Sequence, residues 1–103
     1  MFAKQTQQLI EDAVNSEWLN ACNTYGNTYH SLHEAYAVLK EEMEEVSGYF
    51  ESAKLELEDL WQDTKLDAET DAKSDARSIA FDAVQLALEA VQVAAVCKKI
   101  LEG

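Results

Sequence analysis

The sequence lacks proline altogether and contains three glycines in 103 residues. Because proline and glycine are the residues that most often end helices or form tight turns, their scarcity leaves long uninterrupted stretches for helices. Valine and isoleucine are sparse, whereas alanine, leucine, glutamate, glutamine and lysine are abundant, and this balance favours helix over sheet. The sequence therefore predicts an all-α protein.

Basic residues are also scarce, with 8 Lys and Arg against 20 Asp and Glu, so the formal net charge is −12. This balance argues against direct nucleic-acid binding and against anchoring on anionic lipid, because both need clustered positive charge. It is compatible with metal binding, with solubility, and with an acidic surface that occupies a basic protein partner. A hydrophobic content of 48% is high enough for a folded core.

Cysteine is limited to Cys22 and Cys97, which lack metal-ligand spacing and are expected to be free thiols. The first residues do not have the pattern of a signal peptide, and from the sequence we expect no apolar run long enough to cross a bilayer. We therefore expect a cytoplasmic protein, in the host-cell cytoplasm if it is phage-encoded, with no membrane partner.

Hydrophobic periodicity predicts one domain over residues 1–103 with helices at about 2–22, 32–65 and 70–101. A polar stretch at 23–30 reads as a loop, and Ser31 with Glu34 has the form of a capping box at the start of the second helix. Residues 66–70 must form a tight turn without glycine or proline. The alternative is one continuous helix through this segment.

The two long helices each carry an apolar seam at alternating steps of three and four, which is typical of helical bundles. In the second helix the apolar seam is Leu32, Tyr36, Leu39, Met43, Val46, Phe50, Ala53, Leu57 and Leu60. In the third helix it is Ala72, Ala76, Ile79, Ala83, Leu86, Ala90, Val93, Cys97 and Ile100. We expect these seams to meet in a long antiparallel hairpin. Because Val84, Leu88, Val91 and Leu101 add apolar surface outside the seam, we also expect a four-helix-bundle-type homo-oligomer, most simply a homodimer.

A second pattern, the acidic stripe, borders each apolar seam. In the second helix it comprises Ala35, Val38, Glu42, Glu45 and Tyr49, and in the third Asp75, Ser78, Asp82, Gln85, Glu89, Gln92 and Val96. Antiparallel pairing would place Glu45 opposite the Glu89–Gln92 span, with carboxylates roughly 4–7 Å apart, as in ligands of one hard cation such as Mg²⁺ or Mn²⁺. The alternative is a half-exposed polar rim with no bound ion.

Glu41-Glu42-Met43-Glu44-Glu45 resembles the first metal-binding helix of the MazG-like, all-α nucleoside triphosphate pyrophosphohydrolases. That family has E-E-x-x-E on one helix and E-x-x-D on the next long helix. The first motif falls on Glu41, Glu42 and Glu45, and the second on Glu89-Ala90-Val91-Gln92, with Gln92 where the family has Asp. The resemblance covers about residues 32–100 and would make this chain a degenerate, phage-type member.

The resemblance implies hydrolysis of a nucleoside triphosphate to a monophosphate and pyrophosphate with bound Mg²⁺ or Mn²⁺. It implies metal ligation by Glu42, Glu45, Glu89 and Gln92, and a catalytic role for Glu41 and Glu42. Because a neutral amide is a poorer ligand than a carboxylate, Gln92 predicts weakened activity. Asp75 and Asp82 lie two or more turns from Gln92 along the helix.

Aromatic and basic residues near the same end of the second helix are candidates for binding the substrate. The aromatic and imidazole candidates are Trp18, Tyr25, Tyr29 and His33, and the positive charges for the phosphates are Lys40, Lys54, Lys98 and Lys99. The alternative function is a non-enzymatic acidic helical-bundle interaction protein or inhibitor that binds a basic protein surface.

Overall fold

The computed structural model describes residues 2–103, and over this range the chain forms three helices and no strand. They are α1 (Lys4–Tyr25), α2 (Leu32–Lys65) and α3 (Glu69–Glu102). The all-α prediction is confirmed, and the predicted bounds of the two long helices are right to within one residue at each end. Helix α1 continues to Tyr25, into part of the predicted loop.

A cap formed by Ser31 and Glu34 starts α2. The backbone N–H of Glu34 donates to Ser31 Oγ at 3.1 Å, which satisfies one of the amides that have no partner within the helix. The reciprocal bond is displaced by one residue, because the Glu34 carboxylate accepts from the N–H of His30 at 3.2 Å rather than from that of Ser31. The predicted capping interaction therefore forms with this one change.

The turn between α2 and α3 uses Asp67 where glycine is usual. Asp67 has a φ of 53°, in the left-handed region that aspartate tolerates better than most residues. Its N–H donates to the carbonyl of Thr64 at 3.1 Å, and the N–H of Ala68 donates to the carbonyl of Asp63 at 2.9 Å. This pair of bonds is the Schellman arrangement, which ends α2 and excludes one continuous helix.

The chain divides into two compact units. The end unit is the chain up to Met43 together with Glu89–Gly103, and its buried apolar residues are Ala35, Val91, Ala95 and Val96. The hairpin unit is Glu44–Leu88, which contains the second part of α2, the Asp67 turn and the first part of α3. Its most buried residue is an acid, Asp82, which is 6% exposed.

The apolar seam of α2 is only partly covered, because Leu39, Val46, Ala53 and Leu60 are half-buried and the other five seam residues are exposed. Met43 and Phe50 are 55% and 53% exposed, whereas Ala35 in the acidic stripe is 4% exposed and Glu42 is half-buried. The small alanine allows close helix packing in the end unit, while the bulky seam residues remain on the surface. Each unit therefore covers part of its acidic stripe and leaves part of its apolar seam on the surface.

Helix α3 is long enough and apolar enough to cross a membrane, as judged by length and composition only. The sequence-based expectation that no apolar segment is long enough is therefore wrong for α3. Its most apolar window has a mean hydropathy of 1.6 and is 17% buried. The core helix of a water-soluble protein can have the same length and composition.

Candidate metal centre and adjoining cavity

Three of the four predicted metal ligands come together. Glu42 and Glu45 lie one turn apart on α2, and Glu89 lies on α3. One carboxylate oxygen from each is within 4.8 Å of the others, with Glu42 and Glu89 half-buried and Glu45 exposed. Oxygen donors of this kind suit the hard cations Mg²⁺ and Mn²⁺. Among the described residues, this is the group of three acidic side chains whose geometry fits a shared cation.

Gln92, the fourth predicted ligand, makes a specific contact with α1. Its Nε2 donates to Glu17 Oε2 at 2.8 Å in a partly buried position. Because the nitrogen of the amide is used in this way, the side-chain carbonyl oxygen is the atom that can meet a cation. Glu17 was not among the sequence candidates, although its spacing from Ala13 and Ala21 places it on the apolar face of α1.

A cavity of about 450 Å³ lies in the end unit beside Glu42. It is lined by Ala21, Tyr25, Tyr29, His30, Glu34, Val38, Glu42, Gln92, Val96 and Lys99. Cavities of this size commonly hold small molecules. Two of the predicted substrate residues, Tyr25 and Tyr29, therefore share one cavity with Glu42 and Gln92.

Lys99 supplies a buried positive charge to this cavity. The residue is 5% exposed, and its Nζ lies 4.3 Å from the centroid of the Tyr29 ring. Burial and the neighbouring Glu34 carboxylate raise the pKa of the Tyr29 hydroxyl above its usual value. Tyr29 therefore stays protonated and able to donate a hydrogen bond over the whole physiological pH range.

The other predicted substrate and catalytic residues lie in different surroundings. The Trp18 ring lies under the Lys98 ammonium at 4.7 Å, and its buried Nε1 has no hydrogen-bond partner among the described residues. His33 and Glu41 are exposed, and His30 rather than His33 lines the cavity. Lys54 pairs with Glu51 at 3.1 Å in the hairpin unit.

The hairpin unit contains two pairs of carboxyl groups that were not predicted from the sequence. Glu56 and Asp82 lie close enough to share a hydrogen bond when one of them is protonated, and so do Asp75 and Asp63. The pKa of Glu56 is raised by desolvation and by Asp82. The hydrogen bond to Asp63, with desolvation, raises the pKa of Asp75 to about 6. The signal for Glu56 and Asp63 was present, since both continue the acidic stripe of α2 beyond Tyr49 at steps of three or four.

Comparisons of the chain with protein-family models, with curated proteins and with solved structures found no match.

Proposed function

We propose that this chain is a metal-dependent nucleoside triphosphate pyrophosphohydrolase-like protein of the MazG type, with activity weakened by Gln92. The observation that carries the proposal is the meeting of Glu42, Glu45 and Glu89 oxygens within 4.8 Å of one another. These are the positions that the E-E-x-x-E and E-x-x-D resemblance assigns to metal ligation. The cavity beside Glu42 supports the same reading, because it is large enough to admit part of a nucleotide.

The donor set fits Mg²⁺ or Mn²⁺, since all three groups offer hard carboxylate oxygens. Glu42, Glu45 and Glu89 would hold the metal, and the Gln92 carbonyl oxygen is the fourth candidate. A bound dication would supply charge neutralisation on the phosphate oxygens and lower the pKa of a metal-bound water. Glu41 and Glu42 are the candidates for accepting the proton of the attacking water.

The cavity offers an aromatic side chain for the nucleobase and a cationic side chain for the phosphates. Tyr25 is 78% exposed at the cavity and offers a ring on which a nucleobase can stack. Lys99 lines the same cavity and offers its ammonium group to a phosphate oxygen. Lys99 is therefore preferred to Lys54 as the phosphate contact, because Lys54 forms an ion pair with Glu51.

Under this proposal the protein works as a homodimer that buries the exposed residues of the apolar seam. Seam residues are exposed in both units, with Tyr36 at 66% and Leu57 at 57%. Exposed apolar side chains in a continuous row are typical of a surface that packs against another helix. A second copy would supply the matching row and complete a four-helix bundle.

Thermal melting with Mg²⁺ or Mn²⁺, followed by an assay of pyrophosphate release, tests the metal centre. At a metal concentration about a hundredfold above Kd, binding adds about 2.7 kcal/mol of stability and raises Tm by several degrees. Glu45→Gln and Glu89→Gln should remove most of this rise. Glu58→Gln is the matched control, because Glu58 is exposed on α2 and outside the carboxylate group. An equal rise in all four proteins would contradict the assignment.

Gln92→Asp restores the family residue and tests whether Gln92 limits activity. The substitution adds an anionic ligand, so metal affinity should rise and pyrophosphate release from nucleoside triphosphates should increase. Gln92→Ala is the control, because it removes the contact with Glu17 without adding charge. Equal activity in the two variants would contradict a ligand role for position 92.

The alternative function is an acidic interaction protein or inhibitor that binds a basic protein surface. The net charge of −12 favours it, as does the engagement of Gln92 with Glu17. Under this alternative the chain would bind a basic partner in a salt-sensitive manner, and neither wild type nor Gln92→Asp would respond to metal.

A further inference from the structure

The hairpin unit contains buried carboxylate oxygens that receive no hydrogen bond from any donor among the described residues. Asp82 is 6% exposed, and its Oδ2 has no hydrogen-bond partner. Glu56 Oε2, on the facing part of α2, is also buried and without a donor. The two carboxyl groups are close enough to share a hydrogen bond. Buried polar atoms are normally satisfied, so this pair requires an explanation.

Two ionised carboxylates offer only acceptors, so facing oxygens need a positive group between them. That group is either a shared proton or a metal cation. A shared proton satisfies the pair at low pH, and a cation can take the same place at a pH where both carboxyl groups are ionised. Oxygens at hydrogen-bonding separation are also close enough to coordinate one metal ion.

The basic residues of the hairpin unit do not supply this charge. Lys54 pairs with Glu51, and Lys73 pairs with Glu69 at 2.9 Å. Lys65 lies over the Trp61 ring at 5.5 Å. The fourth basic residue of the unit, Arg77, is exposed. A cation from solution is therefore the available source, and the acidic surroundings attract it.

We propose that Glu56 and Asp82 bind a hydrated divalent cation of the Mg²⁺ or Mn²⁺ type, at a site separate from Glu42, Glu45 and Glu89. Asp59 lies one turn after Glu56 on α2 and adds negative charge beside it. A site with two carboxylate ligands suits Mg²⁺ and Mn²⁺, because Mg²⁺ keeps several of its water ligands and needs few protein donors. The cation would tie α2 to α3 within the hairpin unit.

Paramagnetic broadening of amide NMR signals by MnCl₂ tests this site at residue level, since the effect decays steeply with distance from the ion. In wild type, signals around Glu56 and Asp82 should lose intensity during the titration. Asp82→Asn should require on the order of tenfold more Mn²⁺ for the same loss, because a ligand charge is removed. Glu56→Gln is the second variant and should behave alike. Circular dichroism checks that each variant is folded.

Glu89→Gln separates this proposal from the proposed function. This variant should keep the broadening around Glu56 and Asp82 and lose it around Glu42. Asp82→Asn should show the converse pattern. The second site would be overturned if the amide signals around Glu56 and Asp82 in the wild type kept their intensity up to a tenfold molar excess of Mn²⁺. This outcome does not depend on what happens to the signals around Glu42. Broadening that is equal in wild type, Asp82→Asn and Glu56→Gln would overturn it too, because the ion would then be adventitious only.

Discussion

At the residue scale, the acidic side chains of this protein differ by their surroundings rather than by their type. Protonated Asp75 can share a hydrogen bond with Asp63, and Asp59 and Asp71 add negative charge nearby, so the protonated form is favoured and the pKa of Asp75 rises to about 6. Glu58, on the same stretch of α2, is exposed and accepts a hydrogen bond from Gln62. Pairing across the hairpin, rather than acidity of composition, makes Asp75 sensitive to pH.

We expect the metal-free protein to lose stability as pH rises from about 4 to about 6. Asp75 binds its proton more tightly in the folded state than in the unfolded state, since its folded pKa is about 6 and its ordinary value is 3.8. The stabilisation is therefore complete below the ordinary value and is lost as pH rises through the folded value. The raised pKa of Glu56 acts in the same direction.

Thermal melting in EDTA across this pH range measures the effect. Asp75→Asn should flatten the dependence, because the amide does not titrate there, whereas Glu58→Gln should retain the wild-type slope. A Tm that increases with pH between 4 and 6 in all three proteins would contradict the paired-carboxyl account.

A second prediction at this scale concerns Ser31. Ser31→Ala removes the Oγ that accepts from the Glu34 N–H, so the free energy of unfolding should fall by about 1 kcal/mol. Ser47→Ala, at an exposed position within α2, is the control and should be close to neutral. Urea denaturation of the three proteins measures the difference, and equal midpoints would show that the cap adds no stability.

At the element scale, the chain separates its two long helices without proline or glycine. Asp67 in the left-handed region allows the Thr64 and Asp63 carbonyls to accept the last two bonds of α2. Helix α3 then begins with Glu69 and Asp71 in its first turn, where negative charge interacts favourably with the helix dipole. The turn therefore depends on one strained aspartate and on its favourable neighbours.

Asp67→Gly should stabilise the protein by roughly 0.5–1 kcal/mol. Glycine relieves the left-handed strain of about 1–2 kcal/mol, and part of this gain is offset by its greater freedom in the unfolded chain. Ala76→Gly is the control at an exposed position inside α3 and should cost about 1 kcal/mol. Denaturant unfolding of both variants gives the comparison, and a loss of stability in Asp67→Gly would contradict the strain argument.

At the scale of the whole molecule, the chain buries few residues and exposes many large apolar ones. Among the described residues, the buried apolar side chains are Ala35, Val91, Ala95 and Val96. The exposed fractions of Phe50, Phe81 and Leu88 exceed half. A small domain with so modest a core commonly gains stability from association, which is the physical basis of the proposed homodimer.

Sedimentation at tens of micromolar protein should give a dimer mass. Leu57→Lys places a charge in the apolar seam and should weaken dimerisation by at least about tenfold, because burying a leucine is worth about 1.5–3 kcal/mol. Leu55→Lys is the matched control, because Leu55 is 73% exposed and lies outside the seam. A monomeric wild-type protein, or equal weakening by both substitutions, would contradict the seam as the interface.

The sequence predicted the elements because their signals are local. The bounds of the long helices follow from periodicity, from Ser31 with Glu34, and from the absence of proline and the scarcity of glycine in these segments. The closeness of Glu42, Glu45 and Glu89 also followed, because antiparallel pairing of two regular helices leaves few registers. The contact of Glu17 with Gln92, the place of His30 in the cavity and the acid pairs of the hairpin unit could not be predicted, because they depend on contacts between distant segments.

Local signals in the sequence are enough to predict that the chain is helical, where α2 and α3 begin and end, and that carboxylates follow one face of both helices. Which face of each helix turns inward depends on contacts between separate helices. Periodicity gives the angle between the apolar seam and the acidic stripe, but it does not say which of the two meets the neighbouring helix of the same chain. Ala35 packs closely and Asp82 becomes buried, whereas Met43 and Phe50 stay exposed. The inward face is set by how the side chains of separate helices fit together, and that is a property of the assembled fold.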